Sequence, residues 1–389
     1  MSESINHSSQ PEKLAFVLPA GGARAAYQVG VLRYIGETFP ELNPKIYCGI
    51  SAGSINACFL SQGQPFSKST AQLYELWSKL EFNQVLKTNF NSLFSMSSRW
   101  LYDMFVSKVT QKLLLKSLLD ASPLSHTLLS HIHFWKISRA IRAGLVDALA
   151  ISATNYHDGN TTVFFDSHRE IPIWVRETRR AVRSQIHLRH VMASCSIPIL
   201  FEPVRIGDFL FGDGSLRFNF PFSPAIHLGA TRALAIGIRC PNPQNPLGYR
   251  PEHVGMGFVA GAVLNSIFLD SIEADYENMA RNNRIADGIH VKKVPALLVR
   301  PSQDLGALSV NFLEEVPFHF RQFLKSTASP KELGDLLSYL MFSPGYINAL
   351  LELGMKDAEK DRKNLESFLR SSQPEHQTLA SPERLQSSN

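Results

Sequence analysis

The chain has 389 residues, of which 44% are hydrophobic and 19% are charged, a composition typical of a globular protein with a sizeable core. Its net charge of +5 is too small to indicate a nucleic-acid-binding protein, although it suits contact with an anionic membrane surface. The four cysteines form no C-x-x-C pair and lie in apolar contexts, which predicts reduced core residues and a cytoplasmic protein.

The chain opens with a polar segment, a short apolar run and a glycine-rich loop. Residues 1–12 lack the apolar region of a signal peptide, so we expect a disordered tail without an export signal. Leu14 to Leu18 is predicted to be a buried parallel strand, and Ala25 to Phe39 has the periodicity of a helix. Between them, the small residues from Gly21 to Arg24 expose backbone N–H groups that would bind an anion or a developing oxyanion.

A second strand, from Ile46 to Cys48, leads into a turn of the form G-x-S-x-G that runs from Gly49 to Gly53. That spacing puts Ser51 at the apex of a strand-to-helix elbow, where a side chain at either glycine would collide with the neighbouring backbone. The helix behind the serine directs backbone N–H groups at any negative charge formed there. These features predict a nucleophile, although small residues of this kind also occur in ordinary turns.

Helical periodicity dominates residues 66–145. Within this region, residues 99–119 carry Lys108, Lys112 and Lys116 at a spacing of four, which gives one basic stripe beside apolar side chains. This composition fits a helix at a membrane interface. An ordinary surface helix with one face in the core has the same pattern, and we favour that interpretation.

The second half of the chain is predicted to alternate strands with helices and then to become helical. Strands are predicted at residues 149–155, 161–166, 204–206, 209–211, 233–238 and 297–299. The arginines between 176 and 183 are predicted to share one helix with a solvated face, in preference to contact with lipid phosphates. The uncharged segment 254–269 is too short and too polar to span a membrane and is predicted to be a buried helix.

This pattern predicts an α/β fold with a mainly parallel central sheet. Residues 13–300 are expected to form the α/β domain, and residues 301–370 a helical extension packed on it. Residues 371–389 are rich in Ser, Gln, Glu and Pro, so we expect a second disordered tail.

A serine nucleophile needs a base, and Asp213 is the strongest candidate. It lies between two glycines directly after an apolar strand, where the backbone can approach closely and ligands of parallel sheets bind. A carboxylate within reach of Ser51 could act as general base without an imidazole. An isolated Asp-Gly pair is more often simply a turn, so the other motifs decide in favour of a site.

A dinucleotide loop and a histidine base are the alternatives. The frame Ala20-x-Gly22-x-x-Ala25 is weaker than G-x-G-x-x-G, and the elbow occupies the place of an acidic ribose ligand, so we expect no cofactor. None of the 13 histidines shares the setting of Asp213. Ordinary packing or exposure is expected for five of them: His131, His133, His157, His187 and His190.

Four motifs, taken in order, resemble those of a bacterial member of the patatin-like phospholipase family. They are the loop Ala20–Ala25, the G-x-S-x-G elbow, an Ala-Ser-x-x-x-Pro stretch from Ala193 to Pro198, and Asp213-Gly214-Ser215. Their order and wide separation are more specific than any one motif, and the resemblance covers residues 14–370.

The resemblance implies a three-layer α/β/α fold and a serine–aspartate dyad that cleaves acyl esters of lipids without a metal. Ser51 would be the nucleophile and Asp213 the base. The oxyanion hole would consist of backbone amides from four consecutive residues: Gly21, Gly22, Ala23 and Arg24. A phospholipid or lysophospholipid is the expected substrate, with peripheral membrane contact and no nucleic-acid partner. The sequence predicts no oligomeric state.

Three features depart from the family pattern. Ala20 and Ala25 replace the usual glycines of the loop, Pro19 precedes them, and Ser215 replaces Gly or Ala after Asp213-Gly214. Alanine costs little unless φ must be positive, so we expect lower activity rather than a different function. Two other functions stay open: an acyltransferase that uses the same elbow, and a catalytically weak lipid-binding protein.

Overall fold

The computed structural model describes residues 12–86, 119–198, 200–241, 256–286, 293–327 and 329–370. Apart from Glu12 and Leu119, the predicted tails and the predicted basic stripe at 99–119 lie outside the described residues.

Within these ranges, ten strands form one mixed sheet. The strands are β1 (Leu14–Leu18), β2 (Ile46–Ile50), β3 (Ala148–Asn155), β4 (Thr161–Ser167), β5 (Val175–Arg176), β6 (Arg179–Arg183), β7 (Val204–Ile206), β8 (Phe209–Asp213), β9 (Arg232–Ile236) and β10 (Ala296–Val299). Their order is β10-β9-β1-β2-β3-β4-β6-β5, and β8 pairs with both β3 and β7.

The centre of this sheet is parallel, as the sequence predicted. Strands β10, β9, β1, β2 and β3 are parallel neighbours. β1, β2 and β3 are buried along their whole length. Strands of a parallel sheet are covered by helices on both faces, and for this reason their sequences are continuous apolar runs. Antiparallel pairing begins at β3, which pairs with β4 along almost its whole length and with β8 at its carboxyl end, over Ala153–Asn155.

Helices cover the sheet in a three-layer α/β/α arrangement. The described helices are α1 (Ala25–Thr38), α2 (Ala52–Leu60), α3 (Phe66–Ser78), α4 (Phe82–Val85), α5 (Ser122–His131), α6 (Phe134–Arg142), α7 (Leu188–Cys195), α8 (Ser223–His227), α9 (Met256–Ala286), α10 (Leu305–Val310), α11 (Phe318–Thr327), α12 (Pro330–Leu340), α13 (Pro344–Lys360) and α14 (Arg362–Arg370). Of the C-terminal helices, α13 packs along α1, and α12 packs against the turn that precedes α1.

The structure corrects two predicted elements. The arginines between 176 and 183 lie on β5 and β6, not on a helix, because β6 completes the sheet beside β4 and buries Ala181 there. Residues 256–269 are helical as predicted, but α9 is only partly buried. Leu264 and Phe268 face the core, whereas Val259 and Val263 are 44% and 51% exposed. None of the helices in the described ranges combines the length and the apolar character needed to cross a membrane.

Candidate active site

The predicted elbow is a sharp turn between β2 and α2. Ser51 lies between the last residue of β2 and the first of α2, with a φ of 51° and a ψ of −129°. Among the described residues it is the one non-glycine residue with a positive φ. Residues with side chains avoid this region, so strain of this kind at a buried serine points to a functional site.

The two glycines of the elbow are required by close packing of the backbone. A Cβ at Gly49 would lie 2.5 Å from Ser54 Cα, and a Cβ at Gly53 would lie 2.0 Å from the carbonyl oxygen of Leu18. Any side chain at either position would push α2 away from the ends of β1 and β2. The elbow is therefore held against the carboxyl edge of the parallel sheet.

Ser194 on α7 fixes the backbone of the elbow. The Ser51 N–H donates to Ser194 Oγ at 2.8 Å, and the Ser194 hydroxyl donates to the carbonyl oxygen of Ser152 on β3 at 2.7 Å. All three residues are buried. The sequence placed Ser194 in the Ala-Ser-x-x-x-Pro stretch without a role, and the structure makes it the link between the elbow and β3.

Asp213, the predicted base, is the last residue of β8 and is fully buried. β8 runs antiparallel to β3 and sets Asp213 opposite Ala153. The sequence placed Asp213 directly after a strand at residues 209–211, whereas the strand extends to Asp213 itself, because Phe211 to Asp213 pair with β3. Asp213 N–H donates to Ser196 O at 2.8 Å, and Thr154 Oγ1 donates to Asp213 O at 2.8 Å.

The Asp213 carboxylate is held through one of its two oxygens. Oδ1 accepts from Ser215 N–H at 2.9 Å and from Ser215 Oγ at 2.5 Å. Oδ2 is buried and has no hydrogen-bond partner within the described part of the chain. Burial raises the pKa of Asp213 to about 6, against the opposing effect of Ser215 and of the nearby Ser51 hydroxyl. One oxygen is thus fixed, and the other is free to take a proton.

The predicted oxyanion loop forms a tight turn with a left-handed residue at Gly22, whose φ is +52°. The Arg24 amide donates to Gly21 O at 3.0 Å, so it is already occupied, and the predicted set is reduced to Gly21, Gly22 and Ala23. Gly22 and Ser51 line the same cavity. Neither alanine that replaces a family glycine in this loop has a positive φ, which explains why the replacement is tolerated here.

The Arg24 side chain, for which the sequence predicted no role, points away from the cavity into a buried polar cluster. It donates to Ser338 Oγ at 2.8 Å, to Tyr339 Oη at 3.2 Å and to Asp335 Oδ1 at 3.0 Å, all on α12. These partners follow Arg24 by more than 300 residues, so no local pattern could have identified them.

An apolar cavity adjoins Ser51. Its wall is built from α2, α3, α5 and the end of α12, with these side chains: Ala52, Ile55, Trp77, Leu80, Leu124, Leu128, Ile132, Leu340 and Phe342. The wall carries few polar groups beyond Ser51, Thr127 and His131. The cavity could therefore hold an aliphatic chain with its ester end at the serine.

A family model described as patatin-like phospholipase matches residues 16–226, more than half of the chain. The chain belongs to the patatin-like phospholipase family. The match contains the loop, the elbow, Ser194 and Asp213, whereas the α12 residues that bind Arg24 lie beyond it.

More distant similarities extend over larger parts of this patatin-like chain. The uncharacterized protein R571 of Acanthamoeba polyphaga mimivirus is 24% identical over 223 residues, which are 56% of this chain and 64% of the viral protein. This chain thus spans less than two thirds of that relative, and a bacterial origin stays a prediction.

Two solved structures are similar at 12% identity. VipD from Legionella pneumophila matches with a TM-score of 0.35 over 91% of this chain and 67% of VipD. ExoU, a type III effector of Pseudomonas aeruginosa, matches with a TM-score of 0.33 over 92% of this chain and 63% of ExoU.

Other ionisable groups of the patatin-like site are poorly suited to replace the serine and the aspartate. Burial and the nearby charge of Asp213 raise the pKa of the Cys195 thiol, which keeps it protonated. His131 lines the cavity, but its Nδ1 bonds to Thr127 O at 2.9 Å. Burial lowers the pKa of His190 to about 4. Within the described ranges, no histidine is hydrogen-bonded to Ser51 or Asp213.

Proposed function

We propose that this protein is a lipid acyl hydrolase of the phospholipase A or lysophospholipase type. The observation that carries the proposal is a buried carboxylate with one free oxygen, near a serine on a strained elbow beside an apolar cavity. Membership of the patatin-like phospholipase family supports a lipid ester as the substrate.

In the proposed mechanism, Ser51 Oγ attacks the ester carbonyl while Asp213 Oδ2 accepts its proton. The charge that develops on the carbonyl oxygen is stabilised by the amides that remain of the predicted oxyanion loop, those of Gly21, Gly22 and Ala23. Collapse breaks the ester bond, and the leaving alcohol takes the proton from Asp213. Water then attacks the acyl-serine, Asp213 accepts the water proton and returns it to Ser51 Oγ, and the fatty acid leaves.

The reaction products test this proposal against its two alternatives. Purified protein is incubated with p-nitrophenyl esters and mixed phospholipids, with and without an added alcohol, and the products are identified by mass spectrometry. A hydrolase releases free fatty acid and the lysophospholipid or its deacylated product. An acyl ester of the added alcohol as main product would indicate an acyltransferase, and lipid binding without turnover would indicate a lipid-binding protein.

The pH profile provides a prediction about the base. Asp213 must be ionised to accept a proton, and burial raises its pKa to about 6. kcat/KM is therefore expected to rise with pH through about 6 and to level off above it. In Ser215→Ala the carboxylate loses a hydrogen bond that favours its charged form, so this rise should move to higher pH by about one unit.

Ser61→Ala is the matched control for Ser215→Ala. Ser61 is also buried, but it follows the last residue of α2 and its hydroxyl donates to Ala57 O of that helix. Its pH profile should follow that of the wild type. An unshifted profile in folded Ser215→Ala would show that another group controls the acidic side of the profile.

We also propose that residues 301–370 pack on the α/β domain of residues 13–300 as part of one catalytic unit. In Arg24→Ala, the three bonds to α12 are lost, so the free energy of unfolding should fall by about 2 to 3 kcal/mol. kcat should also fall, because the oxyanion loop loses its support. Arg33→Ala removes a half-buried arginine of α1 that pairs with Glu37 at the helix surface, and it should change either quantity little. Equal effects in both variants, measured by denaturant unfolding and ester turnover, would contradict this role.

A further inference from the structure

The exposed face of α6 combines an unburied tryptophan with three cations. Trp135, Arg139 and Arg142 follow one another at intervals of four and three residues, which places them on one side of the helix. Lys136 lies beside them and is half-buried. Trp135 is 59% exposed, which is unusual for so large an apolar side chain. These four residues are called the α6 face.

The opposite side of α6 is ordinary core, so the exposed tryptophan is not needed to fold the helix. Ile137, Ala140 and Ile141 are buried. On the exposed side, the Trp135 ring stacks on His133 at 6.4 Å, and Lys136 Nζ lies 5.7 Å from its centre. The indole is therefore held at the surface between two nitrogen-bearing side chains.

The charge around the α6 face is positive. Residues 121–146 contain no aspartate or glutamate. Across the neighbouring groove, Glu75 is paired with Lys79 at 2.6 Å and contributes no free negative charge. Burial raises the pKa of the half-buried Asp166, and the nearby charges of Arg183 and Arg142 oppose this rise. Lys136 and Arg139 form no ion pair with any residue in the described ranges.

The α6 face lies beside the cavity that contains Ser51. The preceding helix, α5, lines that cavity with Leu124 and Leu128 and exposes Leu129. His131, at the end of α5, is exposed and borders both the cavity and the groove that contains Lys136. The cavity and the groove that contains Lys136 thus share Thr127 and His131 as lining residues.

We propose that the α6 face docks this protein onto an anionic phospholipid surface. Trp135 would lie at the boundary between headgroups and acyl chains, where an amphipathic indole is favoured, and the three cations would contact lipid phosphates. The proposal rests on the proposed function, because it places the membrane that supplies the lipid beside the cavity. The arginines of β6 suit this task less well, since Arg180 pairs with Asp158 and Arg183 binds backbone carbonyls.

Vesicle binding tests the proposal. Sedimentation is measured with vesicles of phosphatidylcholine alone and with added phosphatidylserine, and hydrolysis of a soluble p-nitrophenyl ester is measured in parallel. Wild type should prefer the vesicles that contain phosphatidylserine. Lys136→Glu combined with Arg139→Glu should weaken that binding by about tenfold or more while soluble-ester turnover is unchanged.

The matched control is Arg362→Glu combined with Lys363→Glu, which makes the same change in net charge on exposed residues of α14. It should keep vesicle binding close to that of the wild type. An equal loss in both double variants would reduce the effect to net charge and overturn the docking site. Unchanged binding in the α6 variant, or equal binding to both kinds of vesicle by wild type, would also overturn it.

If the charge-reversal variant does not fold, quenching of tryptophan fluorescence tests the docking site instead. Brominated phospholipids in the vesicles should quench part of the wild-type fluorescence, and Trp135→Phe should lose that part. Quenching that is the same in Trp135→Phe would overturn the placement of Trp135 in the membrane. Docking without any ester turnover by wild type would contradict the proposed hydrolase alone, whereas turnover without docking would contradict the α6 face alone.

Discussion

Asp213→Asn is expected to reduce ester turnover to the level of the Ser51→Ala variant. Asparagine keeps the shape of the side chain and can still accept from Ser215, but it cannot take the Ser51 proton. Loss of a general base costs about 100- to 10,000-fold. Because the two residues act as one unit, adding Ser51→Ala to Asp213→Asn should cost nothing further. kcat/KM with a p-nitrophenyl ester measures this, and a fluorophosphonate probe should label Ser51 alone in wild type.

Asp275→Asn is the matched control for Asp213→Asn. Asp275 is also buried, its pKa is likewise raised by burial to about 6, and its carboxylate accepts from the Phe222 N–H rather than lying near Ser51. Turnover should stay near that of the wild type. If Asp275→Asn were as inactive as Asp213→Asn, the loss would reflect the removal of a buried acid and not the loss of a base.

Turnover of the Asp213→Asn variant, compared with that of histidine variants, distinguishes a dyad from a triad. In a triad the acid only orients an imidazole, so the base survives the loss of the acid. Single replacements of five histidines should each keep activity within about tenfold of wild type: His131, His133, His157, His187 and His190. A folded histidine variant as inactive as Ser51→Ala would place the protein among triad hydrolases or acyltransferases.

Gly22→Val is expected to lower kcat by about 100-fold or more. The φ of +52° at Gly22 disfavours a β-branched residue, and a Cβ there would lie 2.3 Å from the carbonyl oxygen of Tyr339. The loop must therefore shift, and its amides lose their alignment with the developing oxyanion. This loss of oxyanion stabilisation accounts for most of the expected fall in kcat. Steady-state kinetics of the folded variant, with folding checked by circular dichroism, measures this.

Gly21→Ala is the control for Gly22→Val, because it changes the same loop and keeps every amide. The φ of Gly21 is 177°, outside the left-handed region, and the one close contact of a Cβ there would be the end of the flexible Ile238 side chain at 2.8 Å. A small change in kcat is expected. If folded Gly22→Val kept the kcat of wild type, the oxyanion hole would have to lie elsewhere.

Features built from neighbouring residues were predictable from the sequence. The G-x-S-x-G spacing predicted the elbow, because in a turn this tight a side chain at Gly49 would collide with Ser54, five residues further along the chain. The close packing of Gly53 against Leu18 of β1, by contrast, joins distant residues. Apolar runs predicted the parallel strands for the same local reason. The family resemblance then predicted the membership that the match over residues 16–226 establishes.

Features that depend on distant parts of the chain were decided only by the tertiary structure. The bonds of Ser194 to the elbow and of Arg24 to α12 join residues 143 and more than 300 positions apart, respectively. The antiparallel direction of β8 is set by its pairing with β3, and the strand at Arg179–Arg183 forms because it pairs with β4. Local periodicity carries no information about such partners, because a side chain's spacing along its own segment is the same whether it meets solvent, a sheet edge or a helix from the far end of the chain.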